Sequence, residues 1–196
     1  MEVKPSRKEL THDRIVETAA RAIRRAGYHG VGVADIMKEA GLTHGGFYAH
    51  FSSRDALLVE AMERAGRDSA IAITRGTDKR KAKGVSAFRA FIESYLSDAH
   101  LAAHEAGCPV AALASEIPRQ APEVVQASVQ RILAMVNRVR QSMSPRMSEG
   151  NAMAVASALV GALQLGRALG NNPQGKALLA ATRQALLAQY DTPAAA

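Results

Sequence analysis

The chain has a single cysteine, Cys108, no tryptophan, and aromatic side chains at only 4% of its 196 positions. One cysteine excludes an intramolecular disulfide and fits a reducing compartment. With so few aromatics against an apolar fraction of 47%, a core must be built from Ala, Leu, Val, Ile and Met. That composition favours helices over sheet. Acidic residues are also short, 18 against 25 basic, and the resulting formal charge of +7 points to a polyanionic partner. Met1–Leu10 lacks an apolar h-region, and Asn151–Gly166, the longest uncharged run of interest, is short and rich in Ala, Asn, Ser and Gln. Neither a signal peptide nor a membrane span is expected, and a cytoplasmic setting is. The sequence holds no glycine-rich phosphate loop followed by Lys, no Ser elbow, no HExxH and no spaced carboxylate pair in an apolar setting. No catalytic residue and no cofactor is therefore predicted.

What is present is concentrated in Val33–Phe51, VADIMKEAGLTHGGFYAHF. Val33, Ile36, Met37 and Ala40 recur at i, i+3, i+4 and i+7, one face of a short helix. Gly41 can supply the left-handed residue that closes it, and Leu42 can turn inward. Thr43 is a suitable N-cap for a second short helix, in which Phe47 and Phe51 share a face. Two short helices around a tight turn make a helix-turn-helix, whose second helix can enter a DNA major groove. Gly45 and Gly46 fall in that helix's first turn, where each costs about 1 kcal/mol against alanine. Removing side chains there lets the backbone approach a partner, with His44, Tyr48 and His50 beside it to reach phosphate or base edges. Spacing alone leaves open an ordinary glycine-rich turn with surface side chains.

The segment Thr11–Leu58 resembles the DNA-binding domain of the TetR/AcrR family of transcriptional regulators. The matching residues run through Thr11, Arg14, Ile15, Ala19, Ala20, Gly27, Tyr28, Val33, Asp35, Ile36, Ala40, Gly41, Thr43, Gly45, Phe47, Tyr48, Phe51, Ser53 and Leu57. His44, Gly46 and Arg54 depart from the usual pattern, which leaves the fold expectation intact and the operator sequence open. The resemblance implies an all-α protein. A three-helix helix-turn-helix DNA-binding head, residues 1–52, would be joined to a helical bundle, residues 53–196, for effector binding and dimerisation. It further implies a ligand-responsive repressor on the nucleoid, binding double-stranded DNA as a homodimer. Thr43, Tyr48, His50 and Arg54 would touch phosphate, and His44 and the N–H groups near Gly45 and Gly46 would lie closest to base edges. Phe47 belongs to the same DNA-binding set.

Along the rest of the chain, Met1–Leu10 reads as a basic arm and Thr11 as the cap of a first helix to about Ala26, closed by Gly27. Ser53 is expected to cap a helix from Arg54 to about Thr74, with Ser52 and Asp55 forming a capping-box-like pair, and Arg75–Gly84 reads as a solvated basic loop. Val85–Ala106 is predicted as one long helix carrying Phe88, Phe91 and Tyr95, a cluster that serves either packing or an effector pocket. Met62, Phe88, Phe91, Tyr95, Cys108 and Val110 are the pocket candidates. They hold no charged anchor, which suggests a small apolar effector. His100, His104 and Cys108 are spaced i, i+4, i+8, but Gly107 and Pro109 break the helix at the cysteine and no further ligand completes a set, so no metal site is predicted. Val125, Val129, Ile132, Val136, Val139 and Met143 form a heptad-like seam over Glu123–Gln141. Ser148–Leu169 is apolar nearly all round and demands cover on every side. These two helices are the expected dimer interface. Gln174–Tyr190 is a last amphipathic helix, followed by a Pro–Ala tail expected to be disordered.

Overall fold

A computed structural model describes residues 5–191, and the Pro–Ala tail and the first four residues of the basic arm lie outside them. The first helix, α1 (Arg7–Ala26), starts before Thr11. The Ser6 hydroxyl accepts from the Glu9 amide (3.2 Å) while the Glu9 carboxylate accepts from the Ser6 amide (2.7 Å), a reciprocal capping box. Arg7–Leu10 is therefore helix rather than arm, and Thr11, one turn inside, donates its hydroxyl to the Arg7 carbonyl. Ile15, Val16, Ala19, Ala22 and Ile23 face inward and Gly27, at φ +78°, ends the helix.

Next, α2 (Val33–Glu39) closes as expected on Gly41 at φ +69°. Leu42 N–H donates to Met37 O (2.8 Å) and Gly41 N–H to Lys38 O (3.0 Å), the paired bonds of a Schellman ending. The segment after Thr43 is not an α-helix. His44–Ala49 is a 3₁₀ turn, with Gly46 N–H on Thr43 O (3.1 Å) and His50 N–H on Phe47 O (2.9 Å). Two consecutive glycines disfavour α-helix propagation, and a turn this short suits the tighter 3₁₀ geometry.

Ser53, not a Ser52–Asp55 pair, caps α3 (Arg54–Lys81), its hydroxyl accepting from Ala56 N–H at 3.0 Å. This helix is 28 residues long and absorbs most of the expected basic loop. Its last turn is anchored: Arg80 donates to Ser94 Oγ (3.2 Å) and lies 3.5 Å from the Glu93 carboxylate. Lys79, Arg80 and Lys81 also suit the negative end of the helix dipole.

The long helix expected over Val85–Ala106 is broken into α4 (Ala87–Tyr95) and α5 (Asp98–Ala102). Ser97 caps the second piece, accepting from His100 N–H (3.2 Å), and the freed carbonyls are satisfied from elsewhere. Arg183 donates to Leu96 O (2.9 Å) and His100 Nδ1 to Tyr95 O (2.7 Å). Then follow α6 (Pro109–Leu113), a 3₁₀ turn Ile117–Arg119, α7 (Pro122–Ser142), α8 (Glu149–Leu169) and α9 (Pro173–Tyr190). By length and composition α8 is long and apolar enough to cross a bilayer, contrary to the expectation from its sequence. Its inner face, Val155, Leu159 and Leu163, is committed to the protein core. Its cover comes from α9, whose Leu179 and Leu186 join the same cluster, and from α5, α6 and α7. What remains bare is Met153, Leu165 and Leu169, with Val129 and Leu133 exposed on α7. The exposure of Val129 departs from the predicted seam.

Two apolar clusters organise the molecule. One holds α1, α2, the 44–49 turn and the first half of α3, and reaches into the body through Leu113, Ile117 and Val124. The other gathers α4 to α9. The head is bolted to the body by polar contacts at the end of α1. Arg24, buried, donates to Ala65 O (3.3 Å) and Gly107 O (3.5 Å), and Tyr28 N–H donates to the Glu116 carboxylate (2.9 Å). The Ser128 hydroxyl gives its hydrogen to Val124 O (2.7 Å), so the Tyr28 hydroxyl is the donor in its 3.1 Å bond to Ser128.

Candidate nucleic-acid interface and ligand cavity

The 44–49 turn presents Thr43, His44, Gly45, Tyr48 and Ala49 to solvent while Phe47 points inward. Phe47 is buried, stacked on Phe51 at 5.5 Å between ring centroids, and it holds the turn on the head core. Tyr48 stands edge-on to Phe47 (5.2 Å) with 72% of its surface exposed, so the fold gives this large ring little cover. Gly45 has no positive φ, and a Cβ built on it would meet no atom within 4 Å. At Gly46 the nearest atom to such a Cβ is Met37 Cε at 3.7 Å, ordinary contact. Neither backbone conformation nor internal crowding requires glycine at these positions.

The flanks are tied inward. Arg54 donates to the carbonyls of Tyr28 and Val31 and lies 3.9 Å from Asp55, so its guanidinium braces the link between α1 and α2. His50 is half-buried, and its Nδ1 is enclosed without a hydrogen-bond partner among the described residues. Burial, reinforced by His12 and Lys8, holds its pKa below the ordinary imidazole value. The His12 ring stacks on Phe51 (4.5 Å) and bonds the Glu60 carboxylate (2.7 Å), pinning α1, the turn and α3 together. The structure thus brings Thr43, His44, Gly45 and Tyr48 onto one exposed surface and sets Phe47 and Arg54 behind it. The Gly46 N–H is already taken by Thr43 O.

In the body, a cavity of about 200 Å³ opens between α3, α4, α6 and α7. Of the six pocket candidates, Phe91, Tyr95, Cys108 and Val110 line it. Met62 is fully buried in the head-side cluster, and Phe88 packs against Tyr190 (6.2 Å). Tyr95 is buried, its hydroxyl has no hydrogen-bond partner among the described residues, and burial pushes its pKa well up. Two arginines on α7, Arg131 and Arg138, also line the space, and reading the sequence missed both. Their spacing of i, i+7, with Ala134 and Met135 between, puts them on one helix face. That spacing is the signal in the sequence that points to them, on a helix whose apolar seam is the stronger pattern.

His100 does not serve as a ligand. Its Nδ1 donates to Tyr95 O and its Nε2 accepts from Cys108 N–H (2.9 Å), so both ring nitrogens staple the main chain. Burial, with Arg167 adding to it, brings its pKa down to about 4.

Comparison with known proteins agrees with this geometry. Residues 15–61 match the model of a family described as bacterial regulatory proteins, tetR family. An uncharacterized HTH-type transcriptional regulator of Mycobacterium tuberculosis is 30% identical over 123 residues, 59% of this chain and 61% of that protein. YxaF, an uncharacterized HTH-type transcriptional regulator of Bacillus subtilis, is 31% identical over 107 residues, 54% of this chain and 56% of its own. The chain thus spans little more than half the length of these relatives. The fold match is longer. A TetR-family regulator from Cytophaga hutchinsonii superposes with a TM-score of 0.77 at 17% identity, covering 98% of this chain and 100% of that one. One from Chloroflexus aurantiacus gives 0.73 at 21% identity, covering 93% and 96%. Over residues 15–61 the chain is similar to the tetR family of bacterial regulatory proteins. Its head has a helix-turn-helix like that family's, and the all-α architecture continues through the body as in those solved structures.

Proposed function

We propose that this protein is a ligand-responsive repressor of the TetR family that binds a palindromic operator as a homodimer in the cytoplasm. The observation that carries the reading is the exposed Gly45, followed by the half-buried Gly46 and beside the exposed Tyr48, glycines the fold itself does not require. A protein that keeps them at a cost to local helix stability gains only where something outside the chain must come close. The turn would lie in the major groove. His44 and the glycine backbone would be nearest base edges, and Thr43, Tyr48 and His50 would set the register on phosphates. Arg54 contributes by bracing the head unless DNA draws it out of its carbonyl contacts.

The exposed Val129, Leu133, Met153, Leu165 and Leu169 support dimerisation through Glu123–Gln141 and Ser148–Leu169, since bare apolar side chains on two long helices suit a second copy. Response to a ligand would run through α7. The same helix lines the cavity with Arg131 and holds the head through Ser128, one turn away. A ligand that prefers a shifted α7 would favour heads at the wrong spacing, by no more than its preference between the two states.

The experiment is DNA binding by Tyr48→Ala. The ring is exposed, so folding should be unaffected, and affinity should fall for specific and random DNA alike, as loss of a phosphate contact requires. Unchanged affinity would remove this turn from the interface.

A further inference from the structure

We propose that the cavity between α3, α4, α6 and α7 takes a small anion, a carboxylate on an apolar body, held by Arg131 and Arg138. The inference rests on the reading of that cavity as the effector site and adds a carboxylate to the small apolar effector expected from the sequence.

Among the described residues no aspartate or glutamate lines the cavity, although three arginines, Arg67, Arg131 and Arg138, do. Arg67 sits 3.7 Å from Glu63, and elsewhere on α3 Arg64 and Arg80 each have a carboxylate within 4 Å. Arg131 and Arg138 have none among the described residues. Arg138 donates one N–H to Ala70 O (2.9 Å), which fixes its guanidinium on α3 and leaves the rest of its fork free. Arg131 crosses α3 at Gly66, where a Cβ would lie 2.5 Å from its Cδ, so the helix is notched to seat it. Its Nε is enclosed without a hydrogen-bond partner among the described residues.

Arg131 and Arg138 are each half-buried with no counter-ion among the described residues, and a planar carboxylate offers their free donors two acceptors in matching geometry. Across the cavity, the unpartnered Tyr95 hydroxyl adds a donor. The remaining walls, Ile73, Phe91, Val110 and Met135, are apolar and suit the body of the molecule. At about 200 Å³ the space is below the roughly 300–1,000 Å³ of drug-sized pockets, which limits the ligand to a small acid.

The test uses the full chain and matched pairs of acid and uncharged amide: benzoate with benzamide, 4-phenylbutyrate with 4-phenylbutyramide, octanoate with octanamide. Thermal unfolding and titration calorimetry should find at least one acid that binds saturably, with its amide about tenfold or more weaker. Arg131→Gln combined with Arg138→Gln should remove the acid's advantage, while the ligand-free variant still unfolds in one cooperative urea transition. Arg131→Lys, which keeps charge but not the fork, should retain part of it. Amides that bind as well as acids, absence of binding by every acid, or an acid preference that survives in the double variant would each overturn the proposal. Gel shift separates this from the regulatory reading. An amide that binds the cavity and releases DNA sinks the anion alone. An acid that binds through the arginines with DNA affinity unchanged leaves the anion site standing and sinks ligand response.

Discussion

His100 makes the fold acid-labile by an amount the structure sets. The imidazole is buried, donates from Nδ1 to Tyr95 O and accepts at Nε2 from Cys108 N–H, so only the neutral ring fits. Protonating Nε2 would set two N–H groups against each other beside the Arg167 guanidinium. The folded pKa is accordingly about 4, against an ordinary 6.5. Below pH 6.5 the unfolded chain takes up a proton that the folded chain refuses, and stability falls as pH drops. The slope is up to about 1.4 kcal/mol per pH unit, reaching about 3 kcal/mol near pH 4, where the folded protein also protonates. Against a total of about 5–15 kcal/mol for a typical domain this is a large share. The assay is urea unfolding from pH 7.5 to pH 4 for the wild type and His100→Gln. Gln offers a donor and an acceptor in nearly the same places and does not titrate. At pH 7.5 the variant should lie within about 1 kcal/mol of wild type. By pH 4.5 it should be the more stable protein, because carboxylate titration is common to both and cancels in the difference. Parallel curves over that range would refute the argument.

Other outcomes follow from the same geometry. Gly45→Ala meets no internal atom and should keep or raise stability by up to about 1 kcal/mol in urea titrations, yet lower DNA affinity about tenfold by anisotropy. A double-mutant cycle on Tyr28→Phe and Ser128→Ala should return a coupling of about 0.5–1.5 kcal/mol in unfolding. The Tyr28→Phe protein should bind DNA but respond less to ligand, because the link from α7 to the head is cut. Leu165→Glu, at a side chain 59% exposed on α8, should leave helicity intact and shift a dimer toward monomer in sedimentation velocity.

Much of the head was legible because its signals are local. Gly41 closes α2 by the bonds its position predicts, and Phe47 and Phe51 stack as an i, i+4 pair because the Phe51 N–H bonds Phe47 O (3.1 Å), an α-type bond at the end of the 3₁₀ turn. The start of α1 is also a local signal: Ser6 and Glu9 form a capping box written in the sequence, one turn ahead of the competing cap candidate Thr11. Elsewhere distant contacts decided the outcome. A run of Arg and Lys carries no apolar period, so nothing in residues 75–81 reveals that Arg80 will find Ser94 and Glu93. The apolar stripe runs unbroken through Leu96, and only His100 and Arg183, reaching the freed carbonyls, make a break there affordable. The apolar girdle of α8 says that it needs cover but not whose, and α9 supplies the largest share, with α7, α6 and α5 adding the rest. In the cavity the aromatic wall was readable from spacing. The unpaired state of Arg131 and Arg138 was not, because it depends on which carboxylates fail to arrive.

The central claim is sequence-specific DNA binding by the exposed turn. Its most direct test is a competition gel shift of the full chain with the DNA flanking its own gene, against random-sequence competitor at fixed salt. The account predicts a discrete complex that survives a large excess of random competitor and forms with two protomers per site. Retardation that random DNA abolishes at equal concentration would contradict it, and would leave a basic protein that binds DNA by charge alone.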